Sequence, residues 1–515
     1  MTLIEKARQW LKDEEFDRII DADLEIPEED HSFEFDEVLV AALARTADPD
    51  TEEGKERLKR ILALAENHEE ELLNSSNFCR FVGYAHYALC NYGQSLPLFE
   101  RALTLLREEG ASEARIDNVL EMGRYSVDEM MSPTLASGVD TFKARAAAVW
   151  EVFSEREADW RKTIMGSDNL AEDGLALIDE IHEVLSELLP FCAFEVGKNE
   201  EAGRPEIIFS AEGNVVLLMA ARAFVQNAPD TIKRNWLLTL GRPALPPSFA
   251  LKVAELGIDL TREEVRVTID APQAPLENAR VNLVLHHPQL AALAEMNAGA
   301  ADWVAEILLN QTLGEIACMR LIGELAVADE PASLGAEDCT LATLGQALSQ
   351  LGIDVQALSA VSEDQRDPYV VNTDGEVSER ADYRLDIVEG ESSALLLHLD
   401  YLYDEPVLMD MLRASGIVAG FLVWDIKGLN EEEALALEAH ISAALHERLD
   451  ESVFTEVGCA RGLYTGYLDV IVWDYTTFLE ALDAVYNELA LKVSGFHTFY
   501  RRCPTLYTTY TENEE

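Results

Sequence analysis

Basic side chains are scarce in this 515-residue chain: 40 lysines and arginines stand against 96 aspartates and glutamates, a net charge of −56. Such a surface repels phosphate backbones, so nucleic-acid binding through a basic face is not expected. It also disfavours anionic membranes. Lysine is the scarcer cation, with 11 residues against 29 arginines. No stretch approaches the ~18 uncharged apolar residues that cross a bilayer. Met1 is followed by an acidic helical pattern, not by a basic segment and an apolar run, so no secretory signal is expected. Seven cysteines occur, at 79, 90, 192, 318, 339, 459 and 503. None forms a C-x-x-C pair, and an odd number in a long chain reads as scattered free thiols in a reducing compartment, so a cytoplasmic location is expected. G-x-S-x-G, H-E-x-x-H and G-K-[ST] are all absent. No catalytic, cofactor-binding or metal-binding residue is assigned.

What is present is an ordinary globular composition. Apolar residues make up 48% and aromatics 8%, which excludes disorder over most of the length. At this length two to four domains are expected. The acidity is spread: residues 1–134 hold 14 basic and 31 acidic side chains, and residues 340–515 hold 10 and 32. A uniform excess favours solubility; it also attracts a basic partner.

The first 134 residues read as helices with short breaks. Ile4, Ala7, Trp10, Leu11, Phe16, Ile19 and Ile20 recur near helical spacing. A break over 25–30, helices over 35–44 and 52–73, and a polar break over 74–77 follow. Within Phe78 to Glu109, Gly83 and Ala85 hold small positions, Leu89 and Tyr92 mark a turn, and Ser95, Phe99, Ala102 and Leu103 repeat a small–large–small rhythm. This stretch resembles a tetratricopeptide repeat, two antiparallel helices with small residues at their crossing. Cys79 departs from the pattern where tryptophan is usual, and Arg107 where proline often lies. The resemblance is to bacterial tetratricopeptide-repeat proteins of unknown function, some of them associated with toxin–immunity or stress loci. It implies a stack of such repeats and a concave groove for peptides.

A linker around Ser132 to Gly138 leads to a long helix over 140–165. From residue 169 short strands alternate with helices, and the pattern resumes beyond a linker near 330–338. Two segments agree at a constant offset. Glu195-Val196-Gly197 recurs as Glu456-Val457-Gly458, and Pro243 as Pro504. Both follow an amphipathic helix and run strand, turn, strand, helix, strand. Duplication and chance both account for so few identities. The expected fold is therefore α+β and multidomain: a helical-repeat domain over 1–134, a connecting helix over 135–168, and α+β sheet domains over 169–330 and 340–510, the second a candidate duplicate of the first.

Each chemical candidate has a plainer reading beside it. His286 and His287 are adjacent on an expected strand and point to opposite faces. His398 and Asp400 share one face of an expected strand beside Asp404 and Glu405, where a solvated acidic edge is the plainer reading. Gly458 to Tyr467 is glycine-rich but leads into a strand, so a hairpin fits better than a phosphate loop. Asp168, Asp173, Asp179 and Glu180 lack calcium-loop spacing. Cys459 lies near Arg461 but has no histidine close in sequence. Tyr84, Tyr87, Tyr464, Tyr467, Trp473 and Asp474 form the candidate interaction surface. The functional expectation is a non-catalytic protein-binding or adaptor protein, an immunity-like or stress-associated inhibitor of a basic partner. The alternative is a small-ligand sensor or enzyme with its site between the two sheet domains.

Overall fold

Serine and threonine caps open the amino-terminal helices. Ser32, Thr51 and Ser75 each accept the backbone N–H three residues on, satisfying one of the donors a helix start leaves unpaired. The computed structural model describes all residues except 1, 25, 28–30, 136–140, 168–173, 247–248, 271–279, 330–338, 360–365, 374–376, 379–381, 492 and 511–515. Of the linker expected over 132–138, residues 132–135 instead continue a helix and 136–138 lie outside the described residues, as do the expected linker over 330–338, the polar stretch 362–365 and the tail.

The helical part comprises α1 (Leu3–Lys12), α2 (Phe16–Asp23), α3 (Phe33–Thr46), α4 (Glu52–Glu66), the one-turn α5 (Glu69–Leu72), α6 (Ser76–Ala88), α7 (Tyr92–Glu108) and α8 (Glu113–Leu135). They stack in hairpins: α3 packs on α4 and α6, α6 on α7, and α7 on α8. Helix α3 is buried at Phe35, Asp36 and every residue from Val38 to Ala44, which makes it the centre of the stack. Gly83 is the crossing point of α6 and α7. A methyl group there would meet the Phe99 ring at 2.9 Å and Leu98 Cβ at 3.3 Å, so the side chain must be absent for the helices to close.

Helix α9 (Phe142–Gly166) is more than a connection. Phe142, Val149, Trp150, Phe153, Trp160 and Ile164 are buried along it. Trp150 stacks on Phe224 at 4.4 Å and donates its indole N–H to the Phe224 carbonyl. Phe142 meets Trp473 at 5.4 Å. Truncating such a buried tryptophan costs about 3–5 kcal/mol.

After α9 come α10 (Leu175–Ser186), β1 (Ala193–Asn199), β2 (Arg204–Ser210), α11 (Val215–Gln226), α12 (Asp230–Asn235) and β3 (Leu237–Leu240). β1 and β2 form an antiparallel hairpin, and β3 lies parallel to β2. Residues 250–353 then build a unit with a hydrophobic core of its own. It holds β4 (Ala250–Val253), β5 (Ile258–Thr261), β6 (Arg266–Asp270), β7 (Val281–His286), α13 (Pro288–Met296), α14 (Ala298–Leu313), α15 (Glu315–Leu321), β8 (Ile322–Ala328), β9 (Cys339–Thr340) and α16 (Leu344–Gln350). A strand is expected over 317–327; the chain instead stays helical through Leu321 before extending.

The carboxy-terminal part comprises β10 (Asp367–Tyr369), β11 (Ile387–Ser392), α17 (Leu395–Tyr403), α18 (Val407–Ala414), β12 (Val418–Asp425), α19 (Glu431–Arg448), β13 (Phe454–Gly462), β14 (Thr465–Val472), α20 (Tyr475–Leu489), β15 (Val493–Thr498) and β16 (Leu506–Tyr510). Its seven strands run in the order β10-β11-β13-β14-β12-β15-β16. The strand expected from Tyr383 begins only at Ile387, because Arg384 takes a φ of 71°, a left-handed conformation that breaks an extended run.

The offset seen in the sequence carries into the strands. β1 and β13 start at 193 and 454, and β2 and β14 at 204 and 465. Two helices and a strand follow the first hairpin, one helix and a strand the second. The sheets differ in size, three strands against seven, and in order: β3 lies directly beside β2, whereas β12 stands between β14 and β15. The cores do not separate at residue 330. One continuous core joins α9, α10 and β1–β3 to Ile387, Tyr401, Phe421, Tyr467, Trp473 and Phe499 of the larger sheet. The helical stack is tied in through Asp410 of α18. Its buried carboxylate accepts the Gly93 and Gln94 backbone N–H groups at 2.9 and 3.3 Å and the Tyr500 hydroxyl at 2.7 Å. It thereby caps α7 from across the molecule.

Candidate functional site

Three helices of the stack present one face to a groove of about 340 Å³. Ala44 and Arg45 come from the end of α3, Arg80, Phe81 and Tyr84 from α6, and Asn118 and Met122 from α8, with Phe99 of α7 behind them. The Arg80 guanidinium lies 4.4 Å over the Phe81 ring, and Arg45 lies 5.6 Å over Phe16. Arg80 Nε is buried without a hydrogen-bond partner. Burial lowers the Arg80 pKa, and the charges of Arg115 and Arg45 lower it further, though a guanidinium stays charged at any working pH. Arg115 is half-buried and donates to Asn77 Oδ1 at 3.1 Å. None of these arginines has an ion-pair partner among the described residues. In a chain of net charge −56, this groove is a local reversal of sign. A ring face returns only about 1–2 kcal/mol to a partly desolvated cation, so the site favours an incoming anionic group.

A second polar cluster lies inside the large sheet and is sealed. Arg384, from the loop before β11, is 1% exposed. Its Nη1 donates to Asp469 Oδ1 of β14 at 2.6 Å, and its Nη2 donates to the Tyr369 hydroxyl at 2.5 Å and to His398 Nδ1 at 3.0 Å. His398 Nε2 lies 3.0 Å from Asp469 Oδ2. Because Nδ1 faces a donor, it must accept, which places the imidazole proton on Nε2 facing the carboxylate. Burial, then the Arg384 charge, lowers the His398 pKa against the pull of Asp469. Burial would raise Asp469, but Arg384 and His398 hold it well below the usual carboxylate range. Phe421, Phe499 and Tyr467 surround the guanidinium at 4.8, 5.2 and 5.4 Å. Next to it, Tyr467 donates to Asp386 Oδ1 at 2.5 Å, and Asp386 Oδ2 accepts the Tyr464 and Thr465 backbone N–H groups. The guanidinium, imidazole, phenols and carboxylates of this centre bond to one another, and they tie β10, α17 and the loop before β11 to β14.

The six residues of the expected interaction surface are dispersed. Tyr84 lines the groove. Tyr87 is half-buried and packs edge-on against Tyr92 at 5.2 Å. Tyr464 lies at the hairpin turn, with Lys427 5.8 Å from its ring. Asp474 caps α20 through Thr477 N–H. Tyr467 and Trp473 offer no surface: both are buried, Tyr467 on the central strand β14 and Trp473 just beyond its end against Phe142 of α9.

The other chemical candidates resolve structurally. Gly458 to Tyr467 is the β13–β14 hairpin, and Gly462 is needed because a methyl there would strike the Asp386 carboxylate at 2.1 Å. His398 and Asp400 lie on helix α17, not on a strand. Asp400 accepts the Leu408 and Met409 N–H groups at 2.8 and 3.2 Å, and burial pushes its pKa up to about 6. His286 ends β7 and bonds Thr268, while His287 caps α13. Burial beside Glu438 raises the Cys459 thiol, the reverse of an activated nucleophile. Asp168 and Asp173 lie outside the described residues, and Glu180 pairs with Arg156 at 2.5 Å. Among the described residues no cluster of three or more His, Cys, Asp or Glu is arranged to hold a metal ion. No helix among them is long and apolar enough to cross a membrane.

No known family model, curated protein or solved structure matches this chain. Its groove arginines were the residues missed in the sequence. One signal was available: the groove's Arg45 and Arg80, with Arg115 outside its lining, recur every 35 residues, about one helical hairpin apart, although they occupy different turns of their helices.

Proposed function

We propose that this protein is a non-catalytic adaptor that docks a segment of a partner protein in the α3/α6/α8 groove. The observation that carries this reading is the groove's pair of arginines without counterions, set among Phe81, Tyr84 and Met122. Rings and a methionine offer an adaptable apolar wall, and the arginines fix an anionic group. The tetratricopeptide-like arrangement supports the same reading, since stacked hairpins present such grooves to peptides. The overall acidity supports a partner that is basic elsewhere on its surface, steered by long-range attraction that salt weakens. An immunity-like inhibitor fits these features. A cytoplasmic setting fits seven cysteines of which none is disulfide-bonded. The alternative of a ligand sensor or enzyme between the two sheets has less support, because the shared core around α9 fills that space.

The test is affinity capture from the native host at low and high salt, comparing wild type with Arg45→Glu/Arg80→Glu and cross-linking from a photoreactive side chain at Asn118. A salt-sensitive partner that cross-links at 118 and is lost from the double variant is the expected result. Identical capture by both proteins would sink the groove as the docking site.

A further inference from the structure

Helix α17 has no polar outer face. Its inner side buries Leu397, His398 and Tyr401 against the large sheet. Its outer side carries Leu396, Leu399 and Tyr403, which are 40%, 45% and 71% exposed, and Val407 at the start of α18 is 48% exposed. Positions 396, 399 and 403 fall on one stripe of a helix. The stripe runs into a groove of about 720 Å³ between the α17–α18 turn and the outer side of the stack, where Tyr403 and Val407 face Leu62, Val82 and Leu98. A soluble chain rarely leaves contiguous apolar surface of this kind without a partner.

The charges at the groove indicate what covers it. Glu66 and Glu405 line it and are exposed, with no ion-pair partner among the described residues. Its cation, Arg502, is already engaged by both Asp404 and Glu100. His86 Nδ1 is buried at the wall without a hydrogen-bond partner. A second copy of this chain is repelled by a net charge of −56 on each molecule. The chain's own segments 330–338, 360–365 and 511–515 are acidic as well. We propose that the stripe of Leu396, Leu399, Tyr403 and Val407, with its groove, docks a basic amphipathic segment of another protein, apolar side on α17 and cationic side toward Glu66 and Glu405. This surface is separate from the α3/α6/α8 groove. It rests on the adaptor reading only in supposing a protein partner, and gives that reading a second contact of opposite charge preference.

The full-length protein can be titrated by fluorescence anisotropy with a synthetic 14-residue helix of leucine and lysine, its leucine–glutamate counterpart, and a scrambled leucine–lysine peptide. The amphipathic basic helix is expected to bind, the other two at least tenfold more weakly. Leu399→Ser/Tyr403→Ser and Glu66→Lys/Glu405→Lys should each weaken it at least tenfold. Asp302→Lys, a charge change on the separate unit, should leave it unaltered. Hydrogen exchange on the wild type should slow over 395–408 when peptide is added. Equal binding by the scrambled peptide, unaltered binding by the Leu399→Ser/Tyr403→Ser variant, or no protection over 395–408 would each overturn the proposal. None of these outcomes touches the Arg45 and Arg80 test.

Discussion

Arginine meets aromatic rings at two places in this molecule, with opposite results. Arg384 lies among Phe421, Tyr467 and Phe499 and finds a carboxylate, a phenol and an imidazole within hydrogen-bond reach. Arg80 lies over Phe81, beside two more arginines, and its Nε finds nothing. The first charge is closed in by its counterion; the second is left open toward a groove. Rings tolerate a guanidinium in both settings. The presence or absence of an acid decides whether the charge is closed within the fold or left open at a groove.

The sharpest way to break this comparison is to remove the counterion. Asp469→Ala strands Arg384 as a buried uncompensated charge, and equilibrium unfolding should show a loss of about 3–5 kcal/mol. Replacing both partners, Arg384→Leu with Asp469→Leu, should recover much of that loss, since apolar pairs of similar volume often substitute for buried ion pairs. A loss near zero in the single variant would mean the centre is not closed. At the groove, Arg80→Met keeps the packing over Phe81 and removes one of several like charges. Its unfolding free energy should stay within about 0.5 kcal/mol of wild type, or rise slightly. A penalty comparable to that of Asp469→Ala would make Arg80 a second structural centre.

A pH-dependent effect concerns Asp400, the carboxylate that caps α18. Its folded pKa is pushed up to about 6, with burial the main cause. An acid raised on folding binds its proton more tightly in the folded state. Its contribution is therefore fully present below the unfolded value near pH 4 and lost as pH rises through about 6. Asp400→Asn removes that dependence, so the variant should gain stability relative to wild type between pH 4 and pH 7, read from unfolding midpoints at each pH. A gain running the other way would show that the carboxylate's bonds to Leu408 and Met409 outweigh its burial.

The parts of this architecture with local signals were legible. Gly83 and Ala85 against Phe99 and Ala102 announce a helix crossing, and the recurrence of Glu-Val-Gly at 195 and 456 falls in two hairpins whose strands start at the same offset. Helix α17 was misread because apolar residues fall on both faces of Leu395 to Tyr403 and its two polar residues, His398 and Asp400, are spaced by two, which mimics the strand period. Tyr467 looked like part of a rim because it follows a glycine-rich stretch; Gly462 and Gly466 in it let Asp386 and Trp424 approach. The sealed centre gave no signal at all. Its members are drawn from positions 369, 384, 386, 398, 467 and 469, and only the register of β13 on β11 and β14 brings them together.

The placement of β12 has a consequence for how the protein is made. This strand is synthesised before the β13–β14 hairpin, yet its two neighbours in the sheet, β14 and β15, emerge later. The apolar surfaces of α9 and of β1–β3 await that same sheet, since their core is completed by Phe499, Tyr500 and Cys503. A ribosome adding about 5–20 residues per second must therefore carry sticky, half-built surface from residue 142 onward for tens of seconds. Only the helical stack and the 250–353 unit can settle on the way, and the rest of the chain folds as the last strands arrive.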